Sequence, residues 1–238
     1  MSVARLAELI HVHQPCVVLT GAGISTESGI PDFRSPTGLW AQFDPLDYGS
    51  IEAFRADPAR VWSFYGMRFE ALRRAEPNAG HLAIAELERR GLVRAVVTQN
   101  IDLLHERAGS HEVVEVHGSI RTSSCPSCGR RYPLAEVLRL LPVPVCRDCG
   151  AVLKPDVVFF GELLPERELE RAFELAQAAG LVLVVGSTLE VYPVAGLPLE
   201  AKRFAIVNRG PTALDARAAL RIEGSAGATL AALVGALA

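Results

Sequence analysis

Thr20-Gly21-Ala22-Gly23-Ile24-Ser25-Thr26-Glu27-Ser28-Gly29-Ile30-Pro31-Asp32-Phe33-Arg34 continues directly from the apolar run Cys16-Val17-Val18-Leu19. A β-branched run feeding into glycines, with Ser25 and Thr26 placed to cap a helix, reads as a strand, a tight turn and a helix N-terminus. Glycines let a backbone approach a ligand, and a helix start offers unpaired N–H groups with the positive end of its dipole, which suits a phosphate. Ordinary strand-to-helix turns also carry Gly-x-Gly, so the later segments decide between the two. A dehydrogenase fingerprint needs a third glycine where Thr26 stands. The next strand candidate, Val93 to Val97, ends in Thr98-Gln99-Asn100 with no acid at its tip to grip a ribose. The stretch predicts nucleotide binding without ordinary hydride transfer.

The 238 residues, 50% of them hydrophobic, allow one sizeable α/β core and a small appended module. A net charge of −3 leaves no general basic surface, so nucleic acid is not the default partner. Residues 1 to 10 lack a basic start followed by an apolar segment, and no apolar run approaches membrane-spanning length. The expectation is a soluble, cytoplasmic protein. Four of the five cysteines form two close pairs, which without an export signal read as metal ligands rather than disulfides. Cys16, inside the first strand, reads as a small core residue.

Before the opening stretch, Val3, Leu6, Leu9 and Ile10 recur at helical spacing. After it, Pro36, Gly38, Pro45 and Gly49 punctuate residues 35 to 50, the pattern of a mobile connection or lid over a ligand. Ile51 to Phe54 restores order, and Pro58 to Arg74 places Val61, Phe64, Tyr65, Arg68 and Leu72 on one helical face. Tyr65 and Arg68, three residues apart, are neighbours there. An arginine on an apolar face needs an anionic partner. Either its stem snorkels and its head reaches solvent or a nearby acid, or the guanidinium holds a substrate carboxylate in a bidentate pair.

Residues 78 to 90 read as a helix that Asn78 can cap, leading to the strand at 93 to 97. Thr98-Gln99-Asn100-Ile101-Asp102 then falls at a strand's C-terminal end, the edge where open α/β sheets place ligands. Asn100 and Asp102 either face such a ligand or cap the next short helix. A third strand, Glu112 to Val116, delivers His117-Gly118 to the same edge, the only one of six histidines so placed. Imidazole titrates near neutrality, so position makes His117 the candidate general base.

Cys125-Pro-Ser-Cys128 and Cys146-Arg-Asp-Cys149-Gly150, separated by seventeen residues, predict a tetrahedral Zn²⁺ site. Four thiolates leave no open position, so the metal is structural. A zinc ribbon can also bind nucleic acid, and Arg130 and Arg131 lie between the knuckles, but the charge around them is low. Lys154 to Glu162 reads as an apolar strand, Pro165 to Ala179 as a helix, and Leu181 to Val185 as a buried strand ending in Gly186-Ser187-Thr188. Arg203 to Val207 is another strand, ending at Asn208, and residues 225 to 237 form a last helix. Strands alternating with helices imply an α/β fold whose mostly parallel sheet is covered on both faces.

Taken together, Gly21-Ala-Gly-Ile-Ser25, Ile30-Pro-Asp-Phe-Arg34, Thr98-Gln-Asn-Ile-Asp102, His117-Gly118, both cysteine pairs, Phe160-Gly-Glu162, Gly186-Ser-Thr188 and Val207-Asn208 resemble a sirtuin, and they span nearly the whole chain in that family's order. The resemblance implies a Rossmann-like NAD-binding domain made of residues 1–34, 77–118 and 155–238, a helical insertion with a cofactor loop at 35–76, and a zinc-ribbon module at 119–154. The insertion and ribbon form a small lobe facing the sheet across a cleft. It implies NAD surrounded by Gly21, Ala22, Gly23, Ile24, Ser25, Asp32, Phe33, Arg34, Gln99, Asn100, Ile101, Asp102, Gly186, Ser187, Thr188, Asn208 and Ala226. An acyl-lysine strand is implied between loops carrying Val158, Phe159, Gly161 and Glu162 on one side and Val191 on the other, held by main-chain bonds.

In the mechanism the family implies, the acyl oxygen attacks the nicotinamide ribose and nicotinamide leaves. His117 then acts as base on a ribose hydroxyl, with Asn100 and Asp102 orienting the nicotinamide end, giving free lysine and O-acyl-ADP-ribose. Tyr65 and Arg68 match the Tyr-x-x-Arg pair of the class III members that remove succinyl or malonyl groups, and Ala53 matches a small residue widening the acyl pocket in some of them. The expectation is an NAD-dependent protein-lysine deacylase acting on acyl-lysine proteins or peptides, with deacetylation and desuccinylation or demalonylation both within reach. The alternatives are a deacetylase-only or mono-ADP-ribosyltransferase sirtuin, or a non-catalytic zinc-ribbon nucleic-acid binding protein. Gly186-Ser-Thr188 departs from the Gly-Thr-Ser or Gly-Ser-Ser of many relatives only by exchanging hydroxyl residues.

Overall fold

A computed structural model describes residues 2–237. Helix α1 (Ser2–Val12) turns Leu6, Ala7, Leu9 and Ile10 inward and leads to β1 (Cys16–Thr20), whose five residues are all buried. The expected α-helix after β1 is instead a seven-residue 3₁₀ segment, Ala22–Ser28. Gly21 stands at its N-cap without any side-chain cap, so Ser25 and Thr26 do not cap it. Thr26 donates back to the Gly23 carbonyl and Ser25 points inward.

The segment expected to be loose carries its own short elements: a 3₁₀ turn at Leu39–Ala41, α2 (Pro45–Tyr48) and α3 (Ile51–Ala56), then α4 (Pro58–Arg74). Asp44, Ser50 and Asp57 cap these three helices in turn, and Pro45 and Pro58 come after two of the caps, where a missing N–H costs nothing. Helix α5 (Ala79–Arg89) is capped by Asn78 in a box that His81 closes. Next along the chain are β2 (Ala95–Thr98), α6 (Leu104–Arg107), β3 (Val113–Glu115), β4 (Gly118–Ser124), β5 (Arg131–Pro133), α7 (Leu134–Arg139) and β6 (Lys154–Val157). The chain ends with α8 (Glu166–Ala178), β7 (Leu181–Val185), β8 (Phe204–Asn208), β9 (Leu220–Glu223) and α9 (Ala226–Ala236). Strand β9 is not foreshadowed by the sequence pattern, because Leu220-Arg-Ile-Glu223 alternates only briefly at a sheet edge.

Six strands form one parallel sheet in the order β3-β2-β1-β7-β8-β9. Side chains alternate faces along a strand, so Cys16 and Val18 face α1, α5 and α9, while Val17 and Leu19 face α8. Burying a Leu such as Leu230 beneath the first face is worth about 1.5–3 kcal/mol. The strand order reverses between β1 and β7, which opens a crevice at their carboxyl ends. There the backbones touch: a Cβ on Gly23 would lie 2.8 Å from the Gly186 Cα, and one on Gly186, at φ +64°, 2.3 Å from the Ile24 nitrogen. The glycines therefore serve first to let two backbone turns meet, and only then to admit a ligand.

A second, three-stranded antiparallel sheet, β5-β4-β6, belongs to the small lobe. The strand expected from Lys154 onward pairs here rather than in the large sheet, with Ser123 opposite Pro155. Insertion and ribbon share a single apolar cluster that includes Trp62, Phe69, Tyr132, Leu153 and Phe159, and the Trp62 indole N–H donates to the Leu153 carbonyl over 2.7 Å.

Candidate active site

The crevice opens into a cleft of about 910 Å³ between the sheet edge and the small lobe. It gathers residues from the 3₁₀ turn, the loop after it, α4, the ends of β2, β3, β7 and β8, and the start of α9. Every expected cofactor and substrate residue lines it except Ile24, which is fully buried in the core beneath. Ala53 is also absent from the lining; it packs in the small-lobe core.

His117 ends the run from β3. Its Nδ1 lies 3.1 Å from the Gln99 carbonyl, an acceptor only, so Nδ1 carries the proton and Nε2 keeps its lone pair. Burial lowers the His117 pKa, and the Gln99 carbonyl partly opposes this, so the ring is neutral at pH 7. A neutral imidazole with a free Nε2 on a cleft wall has the form a general base requires.

Beside it lies a closed polar network. The Asn78 N–H donates to His81 Nδ1 at 3.3 Å, which leaves the His81 proton on Nε2, 3.4 Å from Ser25 Oγ. Ser25 donates to Asp102 Oδ2 at 2.7 Å and accepts from the Asn100 amide at 3.2 Å. That amide also reaches the Gly21 carbonyl, while Asp102 Oδ1 accepts from the Leu104 N–H at 3.0 Å. Asp102 thus steadies the start of α6 from one residue before its N-cap, Leu103, while its other oxygen is taken by Ser25. Sequence reasoning missed the two histidines beneath. His105 Nε2 is 2.9 Å from Thr20 Oγ1, which donates to Thr98 Oγ1. Burial drives the His81 pKa down to about 4 and that of His105 to about 3. The only prior signal is that His81 falls at the third position of a capped helix.

Further along the wall, Gln99 Nε2 donates to Ser187 Oγ at 3.0 Å, and the Asn208 amide turns the next loop by donating to the carbonyls of Arg209 and Gly210. Asp32 accepts from the N–H groups of Arg34 and Ser35. Arg34 reaches Glu190 at 3.4 Å, and Glu190 also accepts from Thr188, so the loop after the 3₁₀ turn is tied to the loop after β7. Glu27 accepts from the Gly227 N–H at the start of α9, beside Ala226. These polar and glycine surfaces, at a sheet's carboxyl edge, could hold a dinucleotide.

The opposite wall is rich in aromatic rings, with a few charged groups set among them. Phe160 pairs with Ser50 in a parallel bridge, while Lys154 pairs with Glu162 at 2.8 Å and lies over the Phe159 ring. Tyr65 packs on Phe159, its centroid 5.2 Å away, and burial pushes its phenol pKa up. Arg68 makes no ion pair among the described residues. Burial lowers its pKa, and the neighbouring Tyr65 phenol and Asp102 carboxylate oppose this.

Known proteins share this geometry. Residues 21–193 match the model of the Sir2 family. The chain belongs to the Sir2 family. An NAD-dependent protein deacylase of Pyrobaculum aerophilum is 48% identical over 97% of this chain and 94% of its own. A solved Sir2 homologue mutant in complex with ADP-ribose superposes with a TM-score of 0.94 at 40% identity, over 98% of this chain and 95% of that one. A Sir2 complex with a p53 peptide and NAD⁺ superposes with a TM-score of 0.91 at 38% identity, over 99% and 98%.

As the spacing of the two knuckles predicts, the four cysteines meet in the small lobe. Their sulfurs all lie within 4.8 Å of one another, with Cys125 and Cys149 3.4 Å apart and Cys128 and Cys146 3.6 Å apart. A zinc–sulfur bond of about 2.3 Å requires tetrahedral sulfur separations of roughly 3.8 Å, so the cluster fits zinc. Gly129 and Gly150, both at φ +75°, let each knuckle turn back onto its first cysteine. Tyr132 donates to Cys146 Sγ at 3.3 Å, and Arg130 pairs with Asp148. Among the described residues no helix is long and apolar enough to cross a membrane.

Proposed function

We infer that this enzyme, an NAD-dependent protein deacylase, takes dicarboxylic acyl groups such as succinyl or malonyl from lysine as well as acetyl. The carrying observation is Arg68: a guanidinium set into the cleft wall beside the Tyr65 phenol, without an ion-pair partner among the described residues. An unpaired charge held this way is costly unless a ligand supplies the counter-charge. A carboxylate at the end of an acyl chain does so, with two parallel N–H···O bonds and a third from Tyr65.

The remaining residues divide the work around that chain. NAD is consumed as a co-substrate and supplies an electrophilic ribose carbon when nicotinamide departs. His117 Nε2 takes the proton of a ribose hydroxyl while Gln99 fixes the ring through Nδ1. Asn100 and Asp102, held by Ser25, orient the nicotinamide end, and such positioning contributes several kcal/mol, roughly the lower part of the range for well-oriented groups. Val158, Gly161 and Val191 offer backbone edges between which an extended peptide adds as a strand.

Nicotinamide release from NAD, measured with matched acetyl-lysine and succinyl-lysine peptides, tests this reading. Release that depends on peptide, with kcat/KM for succinyl equal to or above that for acetyl, is expected. Release with acetyl alone overturns the dicarboxylic assignment and leaves a plain deacetylase; release without any acyl peptide leaves an ADP-ribosyl acceptor.

A further inference from the structure

Arg68 is immobilised without an acid. Its guanidinium carbon lies 5.0 Å from the centroid of the Phe33 ring and 5.3 Å from that of Phe64, over the face of each. Phe64 is four residues earlier on α4, one helical turn away. Phe33 comes from the loop after the 3₁₀ turn and lines the cleft between Asp32 and Arg34, the loop expected to meet the cofactor. Both rings are themselves braced: Trp40 lies 5.2 Å from Phe33 and 5.9 Å from Phe64, and Phe43 and Tyr65 pack on Phe64 at 5.1 and 5.2 Å.

The distinction from an ion pair is chemical. A carboxylate would fix the guanidinium by occupying its N–H donors, whereas a ring face attracts the charge through its quadrupole and leaves the donors in the guanidinium plane free. A ligand carboxylate then meets a preset fork, and little ordering is left to offset its binding.

We propose that Phe33 and Phe64 are positioning residues that clamp Arg68 between two ring faces and so determine acyl specificity, the acyl site being complete only when the cofactor loop lies where Phe33 can close it. This rests on the reading of Arg68 as the ligand of an acyl carboxylate. It makes the two jaws unequal. Phe64 acts within the small lobe and touches acyl choice alone. Phe33 belongs to both sites, so its loss weakens NAD and succinyl-lysine together.

The test compares Phe64→Leu, Phe64→Tyr and Phe33→Leu with wild type, measuring kcat and KM for succinyl-lysine and acetyl-lysine peptides and for NAD. Phe64→Leu is expected to raise KM for the succinyl peptide about 10-fold relative to the acetyl peptide, from loss of one partly desolvated cation–π contact. Phe64→Tyr, which keeps the ring face, is expected to restore the wild-type ratio. Phe33→Leu is expected to raise KM for NAD and, by a similar factor, for the succinyl peptide over the acetyl one. Equal losses on both peptides in Phe64→Leu, or in Phe33→Leu if the first variant does not fold, overturn the clamp. Arg68→Met is carried in parallel: if it leaves the succinyl-to-acetyl ratio unchanged, the carboxylate reading itself has failed, whereas a selective Arg68→Met with unselective ring variants defeats the clamp alone.

Discussion

The two walls of the cleft satisfy their polar groups in opposite ways. On the sheet side, Ser25, Asn100, Asp102, His81 and Thr98 bond to one another, and a ligand meets a surface already at rest. On the small-lobe side, Arg68 and the Tyr65 hydroxyl are set among aromatic rings with no protein group to bond them among the described residues. The first arrangement fixes geometry and is indifferent to which acyl group arrives. On the function proposed above, the second leaves bonds for a substrate carboxylate to complete.

The largest effect expected lies on the sheet wall. His117→Ala should lower kcat for nicotinamide-coupled deacylation by about 10²–10⁴, the span of a lost general base. Calorimetry should show NAD still bound, and near-wild-type turnover would place the base elsewhere. Next comes the small-lobe wall. Arg68→Met should cut the succinyl-to-acetyl ratio of kcat/KM by roughly 10- to 150-fold, the equivalent of about 1.5–3 kcal/mol for a hydrogen-bonded charge; a constant ratio would erase the contrast between the walls.

Within the network, Ser25→Ala strands an Asp102 oxygen and an Asn100 proton. A loss of about 1–3 kcal/mol in denaturant-measured stability is expected, and an unchanged midpoint would show that the network is not closed. Away from both walls, Tyr132→Phe removes the hydroxyl bonded to Cys146 and should weaken zinc retention about 10-fold, monitored with a chromogenic chelator.

The smallest effect expected is in pH. His117 must be neutral to accept a proton and its pKa is lowered, so kcat/KM should hold constant through neutrality and fall only below the ordinary histidine value. His81 and His105, depressed to about 4 and 3, bind fewer protons folded than unfolded. Their contribution to stability is complete above about 6.5 and is lost as pH falls toward those values. Thermal melts from pH 7 to 5 should show the decline, with a shallower slope in His105→Asn.

Periodicity and spacing made much of the molecule legible. Val61, Phe64, Tyr65 and Leu72 lie on the buried face predicted for α4, and the cysteine pairs meet. The misses share a cause: they depend on partners distant in sequence. Ser25 looked like a cap because serine next to glycines usually is one, but Asp102, seventy-seven residues on, takes its proton instead. Lys154 to Glu162 read as one strand of the alternating pattern, but only Lys154–Val157 forms a strand, in the small sheet, because an apolar run carries no record of which sheet it joins. His105 drew no notice since a histidine in a short helical turn has no pattern of its own; only the fold sets it under Thr20.

His117 is the last residue before the chain leaves the large sheet, and Gly118, at φ +73°, opens the small one, so close to its neighbour that a Cβ would lie 2.2 Å from the Asp156 carbonyl. His117 thus stands at the joint between the two halves, its Nδ1 anchored to the sheet through the Gln99 carbonyl and its own carbonyl bonded to Val158 of the far side. A side chain at position 118 would press on Asp156 and so disturb both the start of the small sheet and the backbone that carries His117.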